Sequence, residues 1–192
     1  MIKLIVGLGN PGQEYEKTRH NAGFLFLDLL VARTGGAWLN ESRFSGQTSV
    51  VTIQNEVVRL IKPMLYMNRS GQSVGNIARY YKIDASEILV VHDELDFNAG
   101  MVKLKKSGGH GGHNGLKDII SHLSSTDFWR LRIGVGRPSA SHLVSNYVLS
   151  APNKSDELAI YKVCECTLND IDMLILGETE KAMSKINTHI LT

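Results

Sequence analysis

The order of apolar and polar positions divides the chain into strands that alternate with helices. Ile2–Val6 is a short apolar run closed by Gly7, as expected of a buried strand. Phe24, Leu27, Leu30 and Val31 mark one helical face, and Gly35-Gly36 stops that helix. Residues 44–53 and 56–62 read as a strand pair that turns at Gln54-Asn55. Ser70 stands where it can cap a helix carrying Val74, Ile77, Ala78 and Tyr81. Ile88–Val91 predicts another buried strand, ending at His92-Asp93-Glu94. Val102 and Leu104 alternate with lysines at period two, as in a half-exposed strand. Leu116, Ile119, Ile120 and Leu123 fall at i, i+3, i+4 and i+7, an amphipathic helix. Leu131–Val135 predicts a further strand, and 154–176 and 178–190 predict closing helices. The alternation implies an α/β chain: a single-domain, three-layer sandwich over residues 1–192, with helices on both faces of a twisted sheet. The pair within 44–62 and the strand at 101–105 make that sheet mixed rather than all-parallel.

Composition narrows the class. The 192 residues are 43% apolar and 21% charged, which excludes wholesale disorder. No apolar run reaches the roughly 18 residues of a membrane span, and Met1–Gly7 lacks a long apolar h-region and a cleavage site. Cys164 and Cys166, two apart in a predicted helix, point in divergent directions and do not form a disulfide with each other. These features predict a soluble, reduced, cytoplasmic protein. The net charge of +2 is uninformative, but its distribution is not. Residues 101–137 hold seven Lys and Arg against two Asp, a net +5, and leave the rest of the chain at −3. One basic segment on a near-neutral protein fits an anionic partner docking at one place, or a merely solvated face.

Candidate chemistry clusters at the ends of predicted strands. Gly7-Leu8-Gly9-Asn10-Pro11-Gly12 fits the G-x-G-x-x-G dinucleotide pattern. The following residues are nearly all polar, Pro11 interrupts the turn, and no second strand ends in a suitably spaced acid. The motif reads better as a tight turn that leaves the Asn10 side chain at a strand-end crevice. His20 precedes the first helix, and Asp93 ends a strand that faces the same crevice. A carboxylate there can fix the tautomer of an imidazole and raise its basicity. No G-x-S-x-G elbow is present and the cysteines sit in a packed helix, so water is the remaining nucleophile. Ser107–Gly115 is glycine-rich and opens directly onto the 116–123 helix, an arrangement that would present free N–H groups to an anion. His110 and His113 could alternatively ligate a metal with His92 or Asp93, but no H-E-x-x-H spacing exists. Asn68, at a strand–helix junction, can bond a substrate carbonyl, beside an apolar wall of Met64, Tyr66 and Met67.

Taken together, Gly7–Gly12, Tyr15 with Thr18–Phe24, Tyr66–Gly71, His92–Asp96, Gly108–Leu116 and Arg130–Pro138 resemble the bacterial peptidyl-tRNA hydrolase family in order and spacing over nearly the whole chain. Leu65 stands where the family usually has Thr, and Asn98 where it commonly has Pro. The resemblance implies a monomeric esterase without metal or cofactor, which cleaves the ester between a peptide and the 3′ end of tRNA. It places the catalytic histidine at His20 and its orienting aspartate at Asp93. Asn10, Asn68 and Asn114 fall on the substrate-positioning asparagines, with Tyr15 and Tyr66 beside them. Lys103, Lys105 and Arg132 fall on residues that clamp tRNA phosphates. The readings from other classes are a non-catalytic RNA-binding protein and a metal-dependent α/β hydrolase.

Overall fold

A computed structural model describes residues 1–191. Seven strands form one mixed sheet: β1 (Leu4–Gly7), β2 (Leu39–Glu41), β3 (Gly46–Ile53), β4 (Glu56–Pro63), β5 (Ile88–Glu94), β6 (Val102–Lys106) and β7 (Trp129–Gly134). Their order is β2-β3-β4-β1-β5-β7-β6. The four central strands β4, β1, β5 and β7 run parallel, and β2, β3 and β6 pair antiparallel at the two edges. Every residue of β1 is buried, as its unbroken apolar run requires.

Helices cover both faces. One layer holds α1 (Ala22–Thr34), α5 (Lys154–Leu168), α6 (Ile171–Ile175) and α7 (Thr179–Ile186), which share a core with Leu89, Val91, Leu131 and Ile133. The other holds α2 (Ser70–Tyr81) and α3 (Asn114–Leu123), packed on Leu4, Val6, Ile88 and Val90. Alternate residues of one strand therefore serve opposite cores, which is what a doubly covered sheet demands. A short helix α4 (Val144–Val148) lies in the 138–151 connection.

The glycines after β1 serve packing. A Cβ on Gly23 would lie 2.3 Å from the Leu8 nitrogen and 2.4 Å from the Val91 carbonyl, and one on Gly9 would enter the Phe24 ring at 2.7 Å. The first turn of α1 thus sits directly on the ends of β1 and β5, and Phe24 N–H donates to the Leu8 carbonyl at 3.2 Å. Close approach of helix to sheet accounts for Gly7 and Gly9, whereas Gly12 turns the chain at a φ of 114°.

Three local expectations change. Ser70 does not cap α2: it is the first helical residue, and its hydroxyl donates back to the Met67 carbonyl at 2.8 Å. Asp118 of α3 caps α2 instead, accepting from Gly71 N–H at 2.7 Å. The predicted helix over 154–176 breaks after Leu168, where Asp170 turns aside to pair with His189 at 2.9 Å. The Ser107–Gly115 loop does not leave its helix end open. The His113 ring accepts from Gly115 N–H at 3.1 Å and Leu116 N–H at 3.3 Å, so the side chain takes the place of an anion.

Candidate active site

The parallel strands bring their carboxyl ends together around an open cleft of about 790 Å³. Asn10 enters it from the loop after β1, Asn68 from the loop after β4, Asp93 from β5 itself, and Asn114 from the start of α3. Tyr15 and Tyr66 meet edge to face at 6.3 Å on one wall. Residues far apart in sequence become neighbours because β1 lies between β4 and β5.

At the centre, Asp93 is 2% exposed and accepts from two imidazoles. His20 Nδ1 lies 2.9 Å from Oδ1 and 3.0 Å from Oδ2, and His113 Nε2 lies 2.8 Å from Oδ1. Each such bond to a buried charge contributes about 1.5–3 kcal/mol. Burial alone would push the Asp93 carboxyl up. The charges and hydrogen bonds of His20 and His113 outweigh it and hold the group well below the usual carboxylate range. Ionised Asp93 accepts the Nδ1–H of His20, which leaves the His20 Nε2 lone pair for the cleft.

His113, which the sequence linked to Asp93 only as an alternative metal ligand, is its second imidazole partner. Its Nδ1 must carry a lone pair, because it accepts the two α3 amides; its proton is therefore on Nε2, pointing at Asp93. The same logic tests a metal. His20, Asp93 and His113 present ligand atoms within 4.8 Å of one another. An ion between them would need His113 Nε2 deprotonated and its proton moved to Nδ1, against two N–H donors. The donor set suits a proton network rather than a cation.

Asn10 is 6% exposed and firmly oriented. Its Oδ1 accepts from Met67 N–H at 2.7 Å, so the amide Nδ2, with no partner among the described residues, is left to donate. Asn21, singled out by no motif argument of its own, brackets the Asn10 backbone by accepting from its N–H at 2.9 Å and donating to its carbonyl at 3.0 Å. Asn68 and Asn114 are exposed at the cleft.

His92 is buried and turned out of the chemistry. Its Nδ1–H donates to the Asp93 carbonyl at 2.7 Å, and Nε2 has no partner among the described residues. Burial, then the neighbouring His113, pushes its imidazole down to about 3. In the unfolded chain it takes up a proton near about 6.5. The unfolded state thus binds more protons between pH 6.5 and 3, and stability falls as pH drops through that window, by at most ~1.4 kcal/mol per unit. His92→Gln should flatten this slope in urea unfolding at pH 7, 6 and 5; an unchanged slope would assign the acid sensitivity elsewhere.

The basic residues divide into three kinds. Lys105 lies at the cleft with no carboxylate partner among the described residues. Arg132 reaches the cleft while its Nε donates to Glu94 at 3.0 Å, with its guanidinium over the Phe97 ring. Lys103 curls round the edge strand, and its ammonium donates to the Asn187 carbonyl. Arg130 is internal, donating to the Gly108 and Gly109 carbonyls and so fixing the glycine loop.

With this geometry established, comparison with known proteins gives one answer. The family model for peptidyl-tRNA hydrolase matches residues 4–191. The chain is 51% identical to the peptidyl-tRNA hydrolase of Methylococcus capsulatus over 187 residues, covering 97% of this chain and all of that one. It is 51% identical to that of Cupriavidus metallidurans, covering 98% and 99%. Among solved structures, the crystal structure of peptidyl-tRNA hydrolase from Acinetobacter baumannii superposes with a TM-score of 0.96 at 44% identity, covering 98% and 96% of the two chains. A crystal structure of a peptidyl-tRNA hydrolase complex with N-propanol gives 0.97 at 43% identity, covering 100% and 97%. By sequence along its length and by fold, the chain belongs to the peptidyl-tRNA hydrolase family.

Proposed function

We propose that the chain hydrolyses the ester joining a peptide, or another N-blocked aminoacyl group, to the 3′ ribose of tRNA. The observation that carries this reading is the buried Asp93 bonded to His20 Nδ1 on the cleft floor, with asparagine amides around it. His20 Nε2 takes a proton from water, and the oxygen attacks the ester carbonyl. Asp93 stabilises the imidazolium that forms. Asn10 Nδ2, aimed by the Met67 contact, donates to the developing oxyanion. The tetrahedral intermediate collapses, and the ribose oxygen leaves with a proton from His20 or solvent. Asn68 and Asn114 bond the peptide and the water, and the edge-to-face Tyr15–Tyr66 pair walls the acyl group. The protein acts as a monomer, without metal, in the cytoplasm.

The test is release of peptide from an N-acetylaminoacyl-tRNA by purified protein, before and after dialysis against chelator. Equal turnover in both is expected. Activity lost to chelator and restored by zinc would replace the imidazole base by a metal, and binding without turnover would leave an RNA-binding protein.

Lys105 and Arg132 supply the phosphate grip in this reading, with Lys103 adding charge from the edge strand. Replacing Lys105 and Arg132 together should raise KM for full tRNA esters far more than it lowers kcat, because phosphate contacts bind ground and transition states alike. Each lost contact should also flatten the log–log salt dependence by about 0.7–0.9. A short 3′-terminal fragment should be nearly unaffected; equal losses on both substrates would place these residues at the ester or in the fold.

A further inference from the structure

We propose that Arg19 is a positioning residue: it fastens the 141–151 segment, which forms one wall of the cleft, to the turn that carries His20. Arg19 and His20 are consecutive in one 3-10 turn, Arg19–Asn21. His20 faces the cleft, whereas Arg19 faces the opposite way and is 9% exposed. Its Nη1 donates to Ser150 Oγ at 2.7 Å and to the carbonyls of Ala151 at 3.1 Å and of Tyr147 and Ser150 at 3.2 Å. Its backbone N–H donates to the Ser150 carbonyl at 3.1 Å. The guanidinium stacks 3.9 Å from the Tyr147 ring centre. The Tyr147 hydroxyl in turn donates to the Val135 carbonyl at 2.7 Å, tying the same segment to the exit of β7.

The acceptors explain why this residue is an arginine. The chain leaving α4 turns its Ser150 and Ala151 carbonyls, and the Tyr147 carbonyl of its last turn, toward Arg19. Three carbonyls and a hydroxyl converge on Nη1, whose two N–H groups are shared among them, and the guanidinium carries its charge there over the tyrosine ring. The segment held in this way supplies Val144, Ser145, Val148 and Leu149 to the cleft. Besides the clasp this wall is held by the Tyr147–Val135 bond and by buried Val148, while Leu143 and Leu149 remain exposed. The wall and the base are therefore anchored to the same turn, so their spacing is set by one residue that touches neither substrate nor Asp93. This assignment rests on the esterase reading, and its test separates the two.

The experiment uses Arg19→Met, which keeps the stem and removes the fork. Amide hydrogen exchange of the free protein is expected to speed up by about tenfold or more across 143–151 while β1 and β5 keep their protection. KM should rise by about tenfold on both the full tRNA ester and the 3′-terminal fragment, because the wall lies at the ester, with the salt slope unchanged. Arg19→Lys should fall between the two, and added guanidinium ion should rescue Arg19→Ala. Ser150→Ala, which removes the hydroxyl acceptor and its own bond to the Tyr147 carbonyl, should move exchange and KM in the same direction by less, and serves if the arginine variants fail to fold. Unchanged exchange across 143–151 would overturn the clasp. Altered exchange with unchanged KM in an active enzyme would overturn its positioning role. Inactivity of the wild type on both substrates would instead sink the esterase reading and leave the exchange result standing.

Discussion

His20→Ala is expected to lower kcat for an N-acetylaminoacyl-tRNA by about 10²–10⁴-fold while leaving affinity for the tRNA nearly unchanged. The imidazole lies at the cleft with Nδ1 committed to Asp93, so its free nitrogen is left to accept a proton from water. Its side chain is 12% exposed, close enough to solvent to receive water and buried enough to hold one orientation. In the proposed reading the phosphates are gripped by Lys105 and Arg132 rather than by His20, so KM for full tRNA should barely move. A variant that keeps more than half its turnover would remove His20 from the chemistry.

Asp93→Asn should cost about 10²–10³-fold in kcat with the fold retained. The amide oxygen can still accept one imidazole N–H, but its NH₂ meets the other imidazole as donor against donor. Two histidines therefore compete for one acceptor. The variant also loses the charge that supports the His20 imidazolium, whereas the wild-type carboxyl stays ionised far into acid. Activity should fall across the whole range from pH 5 to 8, and circular dichroism should remain native. Unchanged kcat over that range would reduce Asp93 to a turn residue.

Much of this was legible along the chain, for identifiable reasons. β1 and β5 are doubly buried, so each is an unbroken apolar run. The α3 stripe repeats at helical spacing because only one of its faces meets the core. The strand-end placement of Asn10, His20 and Asp93 follows from the α/β alternation, since such sheets open their ligand sites at the carboxyl ends of strands. What was hidden depends on contacts between distant segments. Strand β2 is three residues long with no buried side chain, and it pairs only along the edge of β3. The break after Leu168 coincides with the Asp170–His189 pair, formed across 19 residues, which no periodicity records. His113 reads as a loop histidine until the fold sets its ring between the α3 amides and Asp93. Lys103 and Lys105 look equivalent at period two, yet one curls round the sheet edge to Asn187 and the other stays at the cleft.

The most direct test is single-turnover cleavage of an N-acetylaminoacyl-tRNA by chelator-dialysed protein, wild type beside His20→Ala, from pH 5 to 8. The expected wild-type rate survives chelation; in the variant it collapses at every pH of that range. A wild-type rate that vanishes with the metal, or a rate near that of the wild type persisting in His20→Ala, would contradict water activation by a histidine held on Asp93.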